Sequence, residues 1–214
     1  MKRTQKLKKN LIQKTSNVKT MVDSKLNKFI HYIKQYTNLT LEEENHLKRL
    51  VRYKQFVKQE TIFSSGSVSN EIYFVIKGCV RLYYNVDEND KTAFFYTEGQ
   101  FICAGESYTY KVAAKENYQA LEDTEICVLS REAIEELLSI SPVFEVIARI
   151  AVENELLTAQ RIIACFVTQS AEERYKDLLS HQGDLFLRVP QQYIATFLGV
   201  SPETLSRIKA RVFK

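Results

Sequence analysis

The C-terminal segment VPQQYIATFLGVSPETLSRIKARVFK, residues 189–214, constrains the fold more than any other part of the chain. It fits two short helices joined by a tight turn. Gly199 suits the turn, because a left-handed backbone costs little where there is no Cβ. Ala195, four residues earlier, is small enough for the helices to cross closely. Ile194, Leu198, Val200, Leu205 and Ile208 fall where an apolar wedge between crossed helices is needed. Ser201 is a natural N-cap, and Pro202 takes the first helical position, where its missing N–H does no harm. This register is that of a helix-turn-helix, whose second helix enters the DNA major groove. An ordinary helical hairpin closing a core is the alternative.

The net charge of +4 is unevenly distributed. Lys2, Arg3, Lys6, Lys8, Lys9, Lys14 and Lys19 give residues 1–20 a charge of +7 with no acid, which leaves the remainder at −3. That tail is expected to be disordered. It has three readings: an arm adding phosphate contacts, a solvated extension, or a start-site artefact preceding Met21. It lacks the apolar core of a signal peptide, and no stretch reaches the roughly 18 apolar residues of a membrane span. A cytoplasmic location without membrane contact is expected.

Enzyme chemistry has no footing in the sequence. There is no nucleophile motif, phosphate loop or spaced acid pair with context. Cys79, Cys103, Cys127 and Cys165 are far apart, and His31, His46 and His181 are isolated, so zinc and iron–sulfur ligation lack close-set ligands. No metal and no cofactor are expected. Cys79, Cys103 and Cys127 sit in apolar runs and read as buried free thiols.

Residues 24–36 carry apolar positions at helical spacing, and Thr40 with Glu43 reads as a capping box for a second helix. From Val51 to Leu129 the pattern changes to short β-rich runs (FVKQETIF, EIYFVIKG, VRLYYNV, TAFFYTEG, YQALEDTEICVLS) with Gly66, Gly78, Gly99 and a cluster at 87–90 as turns. An antiparallel β-roll or barrel follows. Ser130 then caps a short helix, and Ser141-Pro142 opens a long one. There Ile147, Asn154 and Arg161 take one heptad seam position and Ile150, Leu157 and Ala164 the other. A parallel two-stranded coiled coil tolerates such a seam and uses a lone Asn for register; a core helix lying on the roll is the alternative. Ser170 and Glu173 form another capping box, marking a hinge into the last domain.

This order of parts resembles the Crp/Fnr family of bacterial transcription regulators over residues 50–214. In the roll the matching residues are Ile62, Phe63, Gly66, Tyr73, Phe74, Val75, Lys77, Gly78 and Arg81. In the C-terminal segment they are Gln192, Ile194, Ala195, Leu198, Gly199, Ser201, Glu203, Thr204, Leu205, Ser206 and Arg207. The resemblance implies an α+β chain with four parts. Residues 1–20 are the tail, 21–140 a double-stranded, jelly-roll-like β-roll sensor with flanking helices, 141–169 a dimerisation helix, and 170–214 the helix-turn-helix domain. It also implies a homodimer on a palindromic operator in double-stranded DNA, with RNA polymerase and a small-molecule effector as further partners.

Cyclic-nucleotide members of the family hold the ribose with a Gly-Glu pair and the cyclic phosphate with an Arg-Ser pair. Here those positions fall at Cys103-Ala104 and Ala114-Lys115, and the Thr-Ser of the long helix falls at Ala159-Gln160. Lys111 or Lys115 offers a point charge in place of a bidentate guanidinium. Cyclic AMP is therefore not expected as an effector, although Tyr108, Tyr110, Tyr118 and Gln160 could line a pocket for another ligand. On the second helix, Glu203 and Arg207 share a face four residues apart. Arg207 suits guanine O6 and N7, and Glu203 a cytosine N4 amine; a surface ion pair is the alternative. Gln192, Ser201 and Thr204 are candidate phosphate contacts, with Lys209 and Arg211 adding charge. Pro202 stands where many relatives have arginine, so operator preference should differ. A wing at residues 181–189 would supply at most a short strand or hairpin. The competing function is a sensor or adaptor whose helical C-terminus contacts a protein.

Overall fold

The computed structural model describes residues 22–87 and 89–213. The basic tail, Met21, Glu88 and Lys214 lie outside the described residues, and with them the readings made of residues 1–20. Helix α1 (22–33) and α2 (Leu41–Leu50) lead into eight strands. These are β1 (Arg52–Phe56), β2 (Thr61–Phe63), β3 (Glu71–Lys77), β4 (Val80–Val86), β5 (Asn89–Tyr96), β6 (Phe101–Ile102), β7 (Asn117–Ala120) and β8 (Thr124–Ser130). A short helix α3 (Gly105–Tyr110) interrupts them between β6 and β7. Then follow α4 (Arg131–Ile140), α5 (Val143–Thr168), α6 (Ala171–Gln182), α7 (Leu185–Arg188), α8 (Gln191–Phe197) and α9 (Pro202–Val212).

The strands form two antiparallel four-stranded sheets, ordered β1-β8-β3-β6 and β2-β7-β4-β5. This is the α+β roll that the turn spacing predicts. Its interior is filled by Tyr73, Val75, Ile126 and Val128 from one sheet against Val80, Tyr96 and Tyr118 from the other. Period-two alternation sends Phe74, Ile76, Cys127 and Leu129 to the opposite face. There α1, α2, α4 and the first turn of α5 cover them, so β3 and β8 are apolar on both sides. Phe74 makes edge-to-face contacts with Phe29 and Phe101, each at 4.8 Å between centroids. Such pairs are worth about 0.5–1.5 kcal/mol beyond area burial. Gly78, at φ +109°, makes the β3–β4 turn; a Cβ there would sit 2.8 Å from the Thr124 backbone.

The helix boundaries follow the caps. Thr40–Glu43 and Ser170–Glu173 are reciprocal capping boxes, and Ser130 and Ser201 accept from the N3 amides of α4 and α9. Two expectations need correction. The run FVKQETIF is broken by Gln59, which adopts φ +71° between β1 and β2. Residues 181–189 hold no strand: the end of α6 runs into the single-turn α7, because Leu185 is fully buried and Arg188 is anchored by acids of the roll. No described helix is long and apolar enough to cross a membrane.

Candidate nucleic-acid interface

The turn before α9 is set by Gly199, at φ +69°, where a Cβ would press to 2.9 Å from the Phe166 ring. Ile194, Ala195, Leu198, Leu205 and Ile208 are buried together as the wedge between α8 and α9. Arg174 of α6 bolts this unit from behind. Its Nε and Nη2 donate to the Leu198 carbonyl at 3.2 and 2.9 Å, and its Nη1 donates to the Gln169 carbonyl at 2.8 Å. With Leu205 and Ile208 held inward, helical geometry turns Pro202, Glu203, Ser206 and Arg207 to the outside, where all four are exposed.

Glu203 and Arg207 form no ion pair in this arrangement. Arg207 Nη2 instead donates to the Thr204 hydroxyl at 3.1 Å, and the Ser201 hydroxyl is the first cause holding the Glu203 carboxyl below its ordinary range. Both charged ends therefore stay available to an outside partner. Gln192 and Ser201 are exposed, and Thr204 is half-buried at the helix start. Lys209 is half-buried, and Arg211 turns back to Glu172 at 3.5 Å, away from the outward face. Ser206, named above only for its family match, shares the exposed face.

The head formed by α6–α9 is fastened to the β2-β7-β4-β5 sheet. Cys79, Phe95 and Leu121 of the roll share one buried cluster with Tyr175, Leu185, Tyr193 and Ile194 of the head. Phe95 packs on Phe197 at 5.1 Å, and the Thr92 amide donates to the Thr196 hydroxyl at 3.2 Å. Arg81, only 2% exposed, lies between the rings of Tyr83 and Tyr193 at 4.1 and 3.6 Å. Its Nη2 pairs with Asp90 at 2.7 Å, and its Nε donates to Gln119 at 2.9 Å. Arg188 bridges Glu98 and Glu122 of the roll, at 2.8 and 2.6 Å, to Asp184 of the head, at 3.0 Å. Burial opposes the Arg188 charge, but these carboxylates outweigh it and push its pKa up. Burial likewise works against the Glu98 carboxylate, yet Arg188 and the Gly78 amide hold its pKa below the ordinary value.

Neither of the two seam arginines was assigned a role from the sequence. Arg81 entered only as a family match, and Arg188 was hidden in a segment read as extended. The hairpin tip, read above only as a turn cluster, also lies beside the helix pair: Asn89, Asp90 and Lys91 face Gln192, Ser201 and Pro202 across an open cleft of about 620 Å³.

On the long helix, Ile147 packs against the helix-covered core, and Ile150 and Asn154 line a cleft against the roll. Of the expected seam, Ile147 and Ile150 are half-buried, because Ile147 continues the core contact begun by Phe144. Asn154, Leu157, Arg161 and Ala164 are exposed. A different apolar stripe faces outward: Val152 is 66% exposed, Leu156 56% and Ile163 62%, with Ala159 and Phe166 completing a three-four spacing.

The tyrosines expected to form one pocket are separated. Tyr118 is buried inside the roll, where its hydroxyl donates to the Cys103 carbonyl at 3.1 Å. Gln160 is exposed on α5. Tyr108 and Tyr110 line a separate cleft outside the roll interior. Ala104 and Ala114 are buried, while Lys115 points away to Glu106 at 3.6 Å. Burial raises the thiols of Cys79, Cys103 and Cys127 to about 12, so they are protonated at neutral pH.

Residues 53–141 match the family described as the cyclic nucleotide-binding domain. The chain is 25% identical over 175 residues to the electron transport regulator A of Shewanella oneidensis, covering 76% of this chain and 69% of that protein. It is also 25% identical over 189 residues to the transcriptional activator protein FnrA of Stutzerimonas stutzeri, covering 81% and 76%. The solved structure of FixK2 from Bradyrhizobium japonicum superposes with a TM-score of 0.66 at 19% identity, covering 76% of this chain and 84% of that one. A cyclic nucleotide-binding-type roll followed by a long helix and a helix-turn-helix head defines the class. Within it, this chain is similar to the Crp/Fnr-type regulators.

Proposed function

We propose that this protein is a sequence-specific DNA-binding transcription regulator that acts as a homodimer on a two-fold symmetric operator. The observation that carries the reading is the exposed pair Glu203 and Arg207, presented from a helix whose inner face is locked and not spent on each other. Arg207 reads guanine and Glu203 accepts from cytosine, while Gln192, Ser201 and Thr204 position the helix on phosphates. Two copies associate through the outward face of α5, with Val152, Leu156, Ala159, Ile163 and Phe166 as the seam and Leu157 and Ala164 beside it. Burying each large side chain in that seam contributes about 1.5–3 kcal/mol.

Cyclic AMP is not the effector on this reading. The phosphate-binding guanidinium is replaced by the buried Ala114, and the tyrosines of the roll interior are packed on each other, Tyr96 to Tyr118 at 6.1 Å. Selection of operators from a random duplex pool, repeated at two salt concentrations, tests the function. Enrichment of a palindrome with affinity falling steeply in salt supports it; no enrichment, with weak salt-insensitive binding, rejects it in favour of a protein-contacting adaptor.

A further inference from the structure

The β4–β5 hairpin of the roll stands beside the helix pair and is fixed there by contacts at its base. The Thr92 amide donates to the Thr196 hydroxyl at 3.2 Å, Phe95 packs on Phe197 at 5.1 Å, and the Arg81 guanidinium of β4 lies 3.6 Å from the centre of the Tyr193 ring. Across the open cleft of about 620 Å³, Asn89, Asp90 and Lys91 form one wall, with Gln192, Ser201 and Pro202 on the other. Gln192 and Ser201 are two of the residues proposed above to hold DNA phosphates. A duplex backbone seated on them passes the mouth of this cleft.

Asp90 and Lys91 are the charged side chains that line the cleft, and only one of them is left unspent. Asp90 is met by the Arg81 guanidinium at 2.7 Å, and Arg81 is 2% exposed, so that carboxylate is neutralised from within. Asn89 gives its side-chain amide to the Asp87 carbonyl at 2.9 Å. Lys91 is exposed and has no ion-pair partner among the described residues. Of the acids at the turn itself, Asp87 is exposed but does not line the cleft, and Glu88 lies outside the described residues. What the hairpin offers to the cleft is one ammonium on a flexible stem, a compact point charge suited to a phosphate oxygen.

We infer that Lys91 is a phosphate contact supplied by the sensor roll itself, its ammonium meeting a DNA backbone phosphate next to those held by Gln192 and Ser201. The contact positions the duplex without reading its sequence. Each protomer of the proposed homodimer makes it once. The inference rests on the DNA-binding function proposed above, and adds the roll to a surface otherwise made by α8 and α9. Its signature is salt dependence, because each neutralised phosphate releases counterions and contributes about 0.9 to the slope of log affinity against log salt.

Fluorescence anisotropy of the full chain on the selected operator, from about 50 to 300 mM salt, tests the contact. Lys91→Gln is expected to lower the magnitude of the slope by about 0.9 per protomer, about 1.8 for the dimer, and to weaken operator and random duplex by the same factor. Lys91→Arg keeps the charge and is expected to keep the parental slope. Lys28→Gln removes the same charge from α1, which packs on the sheet away from the head, and is expected to leave the slope as it was. Lys91 and Lys28 are both exposed, so the thermal transition should match the parent in every variant. A parental slope in Lys91→Gln, an equal drop in Lys28→Gln, or a drop in Lys91→Arg as well overturns the inference, and so does tighter binding by Lys91→Gln. Absence of operator binding by the parent chain sinks the function proposed above and this contact with it. Operator binding by the parent with an unchanged slope in Lys91→Gln sinks this contact alone.

Discussion

Two surfaces of this molecule flank the long helix and are built in opposite ways. The seam between roll and head is crossed by an apolar cluster and closed by paired charges: Arg188 with Glu98, Glu122 and Asp184, and Arg81 with Asp90. The outer face of α5 carries Val152, Leu156 and Ile163 in water with no partner. A buried guanidinium is tolerated only where its donors are met. An apolar stripe on a surface helix is stable in solution only when something covers it. The first surface is complete within one chain; the second is left open, as the proposed association of two copies requires.

The largest expected effect is on the open surface. Leu156→Asp combined with Ile163→Asp should convert dimer to monomer, weakening self-association by more than about 100-fold, since two apolar contacts are lost and two charges oppose burial. Sedimentation velocity reads it, while the thermal transition of the roll should be retained because both side chains are exposed in one chain. A dimer that survives both changes would remove the contrast.

Arg188→Ala should come next. It leaves Glu98 and Glu122 facing each other without a cation, and should destabilise the chain by about 2–3 kcal/mol in urea unfolding. Earlier protease cleavage around residues 168–171 would locate the loss at the seam. An unchanged unfolding midpoint would make the ion pairs ornamental.

Arg207→Ala touches neither surface. It should cost about 1–3 kcal/mol in operator binding and relax preference at one base position, with folding stability unchanged. Equal affinity for every sequence before and after the change would remove the reading role.

The smallest effect concerns acid. Glu98 has a folded-state pKa below its ordinary value of 4.5, so its stabilising contribution is present above that value and lost as pH falls through the depressed one. Stability measured from pH 6 to pH 3 should fall less steeply in Glu98→Gln than in the parent. Parallel curves would assign the acid sensitivity to other carboxylates.

Much of the head was legible before any coordinates. Gly199, Ser201, Pro202 and the wedge residues lie within 15 residues of one another, so their register is a matter of local helical geometry. The capping boxes at Thr40 and Ser170 were legible for the same reason, since a side chain meets an amide three residues on. The seam on α5 was legible only as a set of candidates. Heptad spacing identifies candidate stripes, but Ile147 and Val152 are equally apolar, and only the position of the roll decides which one faces inward. The pocket tyrosines were grouped by proximity in sequence, yet the pleat sends Tyr118 into the roll while α3 carries Tyr108 outside it.

By itself the sequence determined what short-range chemistry can specify: the alternation of short strands and turns, the caps, the turn glycines and the outward pair Glu203 and Arg207. Tertiary structure alone decided what depends on partners distant along the chain. Arg188 meets Glu98 across 90 residues, and Tyr96 reaches Glu155 across 59. Arg81 becomes a seam residue only when Tyr193 arrives over it. Electrostatic and stacking contacts of that kind leave no periodic trace in a sequence, because neither residue type nor spacing records which surfaces meet. Such contacts fasten the C-terminal helices to the roll.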